Sequence, residues 1–480
     1  MTRSSRTILF AAIGFVGLIA LAAAVLFVLV DATINKARIE ASVSEALGME
    51  FGIGGAVGHS LYPGLLITIE DLHIRNRGTE VASAKEARLA IELLPLLKGE
   101  LRIEKVSLKH ARISIERGRD GRFNVEMSDT AGDALPTLDW PSLSVSDAVV
   151  VYANKRSGEG GSGEGLEAGS CDAQVHGLRL PGGKRSDFLK LLSFTAELSC
   201  GKVRMDGLTV SDLKFLVGAK AGVLDLKPVT TRVFGTQGSG DLRADFSGAK
   251  PLFHVNYALL QFPVEEFFRT LSRHNVASGR MDFTAALSMQ GSTEREMRNS
   301  LKGQLSLRGK NLLFSGSDLD LALARFESSQ NFNLVDVGAF FFAGPLGLVV
   351  TKGFNFAGLL QGSGGRTEIR TLVSKWRVER GVARAQDVAM ATKQHRIALR
   401  GGLDFVNNRF DDVSVAVIDA QGCATVKQEI RGSFKAPRVE KPNPLQTLTG
   451  PALRLLKKGA ALLSGKKCEV FYAGSVAAPK

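Results

Sequence analysis

This 480-residue chain has few of the residues from which catalytic sites are assembled, and none in a telling arrangement. Its seven histidines, at positions 59, 73, 110, 176, 254, 274 and 395, are scattered, and none is followed by a metal ligand two to four positions on. There is no G-x-S-x-G, no Walker A loop, no H-E-x-x-H and no S-x-x-K with its supporting motifs. The glycines at 52, 54 and 58 miss the G-x-G-x-x-G spacing and read as turns or bulges in a sheet. Asp318 and Asp320 form a D-x-D that reads as turn chemistry. The sequence thus points to no catalytic residue, no metal and no cofactor, and to a protein that is not an enzyme.

Charge is absent altogether from Thr7 to Val30, a run of Ile, Leu, Val, Phe, Ala and Gly. As a helix it spans roughly 36 Å, enough to cross a bilayer core of about 30 Å with some tilt. A cleaved signal peptide is the competing reading, but its apolar region is shorter and no clear A-x-A site follows here. Arg3 and Arg6 precede the run and Asp31 follows it, which favours a cytoplasmic N-terminus and places the remaining chain across the membrane, in the periplasm of an enveloped cell.

Elsewhere the 61 basic residues outnumber the 48 acidic ones by 13 without clustering, and no aromatic-basic recognition motif occurs, so no nucleic-acid partner is expected. Most basic residues sit on the polar phase of alternating strands and read as a solvated face. Arg454, Lys457 and Lys458, beside an amphipathic stretch from Leu445 to Lys458, are candidates for contact with head groups at a membrane surface. Cysteine is scarce, with four residues and no C-x-x-C, which disfavours zinc ribbons and thioredoxin-like chemistry. An even number in an exported chain favours disulfides. Three pairings are possible, and Cys171–Cys200 with Cys423–Cys468 joins neighbours across plausible hairpins or a helix-closing loop. Free buried thiols are the other reading.

What the chain does have is period-2 alternation, with one apolar phase. Leu89, Ile91 and Leu93 alternate before Pro95, Leu101 and Ile103 after Gly99, and Ile113 and Ile115 later. Leu65–Arg75 alternates with a slip at Glu70-Asp71, as at a bulge. A loose echo links Val106–Ile115, Val145–Tyr152 and, more faintly, Leu208–Phe215: strand, bend, second strand. At about 15–20 residues per strand and turn the chain holds roughly 20–30 strands.

Several stretches carry a family resemblance. Leu93-Leu94-Pro95-Leu96-Leu97-Lys98-Gly99-Glu100-Leu101, then Val106-x-Leu108, Ile113-x-Ile115 and Asp120-Gly121-x-x-Asn124, resemble the N-terminal signature of the AsmA family. Pro263-Val264, Gly279-x-Met281-Asp282-Phe283, Asp318-Leu319-Asp320 and Phe471-Tyr472-x-Gly474-x-Val476 resemble its later pattern. The resemblance implies a taco-like β-groove that binds or conducts phospholipids between inner and outer membranes. A long sheet with one apolar face and few helices to cover it fits that expectation, since the face must be covered, closed or filled.

The expected fold is mainly β: an N-terminal transmembrane helix, then a long, curved antiparallel sheet with a few short helices. Expected divisions are a tip and anchor at 1–30, a β region at 31–155, a flexible loop at 156–170, a β-groove region at 171–440 with helices near 263–273 and 293–301, and a disulfide-closed end at 441–480. Leu89, Ile91, Leu101, Ile103, Ile113 and Ile115 are the groove candidates. Phospholipids and the inner membrane are the expected partners, with envelope proteins as further possible ones. The alternative reading is an assembly or tethering factor for outer-membrane proteins, whose exposed strand edges add to client strands.

Overall fold

The computed structural model describes residues 36–440 and 470–479, apart from 48, 61–64, 93–94, 96–101, 119–121, 126–133, 155–164, 185–186, 206–207, 270–276, 316–317, 322 and 324–364. The expected anchor lies outside the described residues, and among those described no helix is long and apolar enough to cross a membrane. The fold is mainly β, with a few short helices. The chain divides into two compact units, one of Met1–Val233, Ser239–His254 and Gln290–Glu294, the other of Phe234–Gly238, Val255–Met289 and Arg295–Lys480.

The first unit opens with α1 (Lys36–Leu47), followed by β1 (Glu50–Ile53) and β2 (Val57–Ser60), which both pair with β3 (Leu65–Asn76). The ladder continues through β4 (Thr79–Ile91), β5 (Ile103–Arg117), β6 (Ala134–Asn154), β7 (Gly165–Lys184), β8 (Ser193–Met205), β9 (Leu208–Lys220) and β10 (Val223–Val233), each bonded to its predecessor. β7 begins at Gly165, inside the stretch 156–170 read from sequence as a loop. A four-residue helix, α2 (Phe188–Leu191), sets Phe188 into the core.

One pairing departs from an antiparallel sheet: β5 and β6 run parallel, from Lys105 opposite Ser142 to Arg117 opposite Asn154. The sequence echo between these strands is this ladder seen from the side. Val106 faces Leu143, Leu108 faces Val145 and Ile113 faces Val150, and Ser144 Oγ donates to Ser107 Oγ at 2.9 Å. A parallel step requires the connection from β5 to β6 to come back to the starting end of β5, and the described residues Arg122–Val125 lie in that connection. Asn124 anchors that return. Its Nδ2 donates to Ser114 O, its Oδ1 accepts from Glu116 N–H and its own N–H donates to Glu116 O, at 2.8, 2.8 and 2.9 Å.

Five strands of this unit, β3, β5, β6, β7 and β9, bend at a similar place. Asp71, His110, Asp147, Ser170 and Asp212 all have φ between 49 and 57°, the left-handed region that Asx and His tolerate better than most. The next residues share one rung. Leu72 faces Ala84, Ala84 faces Ala111, Ala148 faces Cys171, Cys171 faces Cys200 and Cys200 faces Leu213. The extra residue at each bend shifts the alternation by one, and the apolar phase stays on one face.

β11 (Thr236–Asp245) and β12 (Leu252–Pro263) fall partly in each unit. In the second unit, but for Gln290 and Glu294, α3 (Val264–Arg269) precedes β13 (Ala277–Gln290), and α4 (Glu294–Ser300) precedes β14 (Lys302–Ser315). An antiparallel ladder then runs from β13 through β14, β15 (Arg366–Glu379), β16 (Val382–Ala391), β17 (Arg396–Asp404), β18 (Arg409–Ile418) and β19 (Ala424–Ser433) to β20 (Ala436–Val439). β16–β18 are buried on both faces near their ends, with runs such as Val413–Ile418 almost continuously inside. The D-x-D is structural: Asp318 Oδ1 accepts from Leu321 N–H, and Asp320 Oδ1 accepts from Thr392 Oγ1 and lies 2.8 Å from His395 Nδ1.

Candidate functional site

The apolar face of the first unit is one contiguous cluster from β1 to β8, with α1 contributing Val43 and α2 Phe188. Its burial changes along the ladder. On β3–β6 the inward residues are almost wholly covered, whereas on β8–β10 the larger ones, such as Leu198, Phe215, Val217 and Leu226, are only half-buried, although Ala196, Cys200, Ala219 and Val233 remain covered. The register groups the residues of this face into rows. Ala196, Val217 and Leu226 form one, Leu198, Phe215 and Val229 a second, and Met205 and Leu208 pair at the end. The alternate positions carry Thr195, Glu197, Lys202, Arg204, Thr209 and Lys214 to the other face. An apolar wall, open to solvent and backed by a charged one, is the most distinctive surface of this unit.

The polar face is held by cross-strand ion pairs: Lys109 with Glu86 at 3.0 Å, Arg232 with Asp212 at 2.7 Å and Arg243 with Asp225 at 3.0 Å. The Lys109 ammonium, with Arg88 beside it, holds the Glu86 carboxyl below its usual range. These pairs are exposed and bring modest stability.

Of the groove residues expected from sequence, Leu89, Ile91 and Ile103 lie in the covered part of the apolar face. Ile113 and Ile115 lie in a separate cluster roofed by Phe123 and Val125 of the return segment. Leu101 lies outside the described residues, as do Arg454, Lys457, Lys458 and Cys468. The sequence reading therefore found the apolar face but not its open stretch on β8–β10, of which only the faint echo at Leu208–Phe215 gave a sign.

Cys171 and Cys200 form a disulfide between directly opposed residues of β7 and β8. Both cysteines sit in the apolar cluster, on the bend rung, just where the covered face gives way to the open one. Cys423 is also disulfide-bonded. Closing the 29-residue span of Cys171–Cys200 stabilises by about 3–4 kcal/mol on the loop-entropy estimate. A C171S/C200S chain is accordingly expected to melt lower by several degrees and to admit protease first at β8–β9. An unchanged melting curve would show that the bridge adds no constraint.

In the second unit the C-terminal segment lies on a sheet face built of small residues. Phe471, Tyr472 and Val476 cluster with Val373, Ala389, Ala391, Ala398, Ala416 and Ile418. Asp387 accepts hydrogen bonds from Tyr472 Oη and from Ser475. Arg396 Nη1 donates to Val476 O at 2.9 Å, and Arg400 places its guanidinium 5.0 Å from the centre of the Phe471 ring. Burial, and then the Asp387 carboxylate, push the Tyr472 hydroxyl pKa well up. The F-Y-x-G-x-V motif is thus a seat.

A family model described as the AsmA family matches residues 1–159 and 136–341. The chain belongs to the AsmA family. No curated protein matches it. The residues by which it resembles the family's N-terminal signature have structural work in this AsmA-family chain: Val106 and Leu108 line the apolar face, Ile115 is roofed by Phe123, and Asn124 fixes the return to β6.

Proposed function

We propose that this AsmA-family protein binds phospholipids by laying their acyl chains along the apolar wall of β8–β10, and that it passes lipid between the inner and outer membranes without covalent chemistry. The observation that carries this reading is a row-by-row apolar wall left half-exposed and backed by a charged one. Exposed apolar area of that extent costs about 25 cal/mol per Å² until something greasy covers it. Acyl chains fit the row geometry because they need apolar contact and no hydrogen bond, while head groups stay in water. Residues 7–30 would anchor the chain in the inner membrane, N-terminus cytoplasmic and the sheet periplasmic.

The tethering alternative relies on free strand edges. At β1 the outward amides are already used: Phe51 N–H donates to Ser44 Oγ at 2.9 Å and Ile53 N–H to Glu40 Oε1 at 2.8 Å, both from α1. That edge is shielded from a client strand.

The test is photo-crosslinking of the full chain in phospholipid vesicles. A photoreactive residue at Val217, on the apolar face, is expected to give lipid adducts, and one at Lys214, on the polar face, few or none. Absence of lipid adducts at Val217, with protein adducts in their place, would sink lipid binding and favour the tethering reading.

A further inference from the structure

The end of the β6–β9 ladder brings both faces of the sheet to one rim. There a cleft of about 420 Å³ is lined by Tyr152, Leu166, Glu167, Arg204, Met205, Leu208 and neighbouring residues. The volume falls in the range that suits a small ligand, roughly 300–1,000 Å³. The register sorts its walls. Tyr152 faces Leu166, Leu166 faces Met205 and Met205 faces Leu208, giving an apolar row that continues the open wall described above. One residue along, Glu167 faces Arg204 and Arg204 faces Thr209, giving a polar row on the opposite face. Met205 is 46% exposed, among the most exposed large hydrophobic side chains described.

The charges of the polar row are of both signs and loosely joined. Arg204 Nη1 lies 3.6 Å from Glu167 Oε2, with the two side chains 60% and 52% exposed. So exposed a pair contributes little, and a ligand that satisfies both charges can part it at little cost. An anionic head group would meet Arg204 but be repelled by Glu167. A head group with both a phosphate and an ammonium would meet each with its complement, while its acyl chains turn over the rim onto Leu166, Met205 and Leu208. We infer that this rim cleft is a seat for a zwitterionic, ammonium-bearing phospholipid, phosphate against Arg204 and ammonium against Glu167, at the end of the acyl-binding wall. The inference rests on the lipid-binding reading and adds to it a place and a head-group class.

The test uses the full chain with a photoreactive residue at Met205, in vesicles of equal parts phosphatidylethanolamine and phosphatidylglycerol, with adducts identified by mass spectrometry. The ethanolamine lipid is expected to be enriched over its share, E167Q to shift the ratio toward the glycerol lipid by about two- to fivefold, and R204Q to lower adducts of both. The charge swap E167R/R204E should restore the enrichment, since both complements remain. Neither charge is buried, so circular dichroism should be unchanged in all variants. Adducts at Val217 but none at Met205 would overturn the seat and leave the lipid-binding reading standing, whereas adducts at neither position would overturn both. Adducts at Met205 in the vesicle ratio, unmoved by E167Q and R204Q, would overturn the head-group assignment.

Discussion

L198D/F215D is expected to lose nearly all bound phospholipid while remaining folded. The two side chains face each other across β8 and β9 on the open part of the apolar wall. A carboxylate held in hydrocarbon costs about 2.5–3.5 kcal/mol, so even one such charge in the acyl path lowers affinity roughly a hundredfold. Both positions are only half-buried, so the unliganded sheet can keep the new carboxylates in water and stability should fall by about 1–2 kcal/mol. The control is L89D, on the same face but 1% exposed, where the charge has no route to water and the unit should fail to fold. Lipid retained by L198D/F215D, measured by mass spectrometry of the extracted protein, would mean that acyl chains do not lie on this wall.

A second large effect is expected from G474A. A β-carbon at this position would stand 2.3 Å from Asp387 Oδ1 and 2.6 Å from the Tyr472 ring, the two groups that hold the C-terminal segment down. Neither can retreat without giving up their shared hydrogen bond. The segment should lift, exposing the alanine face of β16–β18, at a cost of about 2–4 kcal/mol. Hydrogen exchange at the amides of Phe471–Val476 reads this directly, and unchanged protection in G474A would refute the tight seat. Y472F is the comparison without a clash: it loses the hydrogen bond donated to Asp387, about 1.5–3 kcal/mol, and the one that Tyr472 Oη accepts from Val476 N–H at 3.0 Å. The pH dependence has a definite sign. Tyr472 has its pKa raised in the folded state, so its contribution is complete below the unfolded value near 10 and is lost as pH rises toward the folded value. The seat should therefore hold at neutral pH and loosen in strong alkali.

Much of the fold was legible because alternation reports directly on which face a side chain occupies. The slip at Glu70-Asp71 is a left-handed Asp71, and the helices expected near 263–273 and 293–301 appear as α3 and α4. The parallel step was not legible. Alternation is the same in parallel and antiparallel strands, and nothing in the D-G-x-x-N segment by itself says that Asn124 bonds back to Ser114 and Glu116. The open wall was missed for a similar reason: Leu89 and Phe215 carry the same apolar signal, and only tertiary packing, Val43 and Phe188 among it, decides which is roofed. The rim cleft needs register as well, because Glu167 and Arg204 are 37 residues apart, and only the β7–β8 ladder sets them side by side.

The order of pairing in the first unit bears on how the chain acquires its structure. From β3 onward every strand bonds to the one made just before it, so a chain delivered N-terminus first always finds its docking edge already in place. The loops to be closed are short, and the entropic barrier at each addition is correspondingly low. Only the step from β5 to β6 requires a longer excursion, and there Asn124 closes its local turn on β5 before β6 has to arrive. Vectorial growth of this kind keeps each newly made apolar strand unpartnered for the least time, which limits its chance of aggregating with its neighbours.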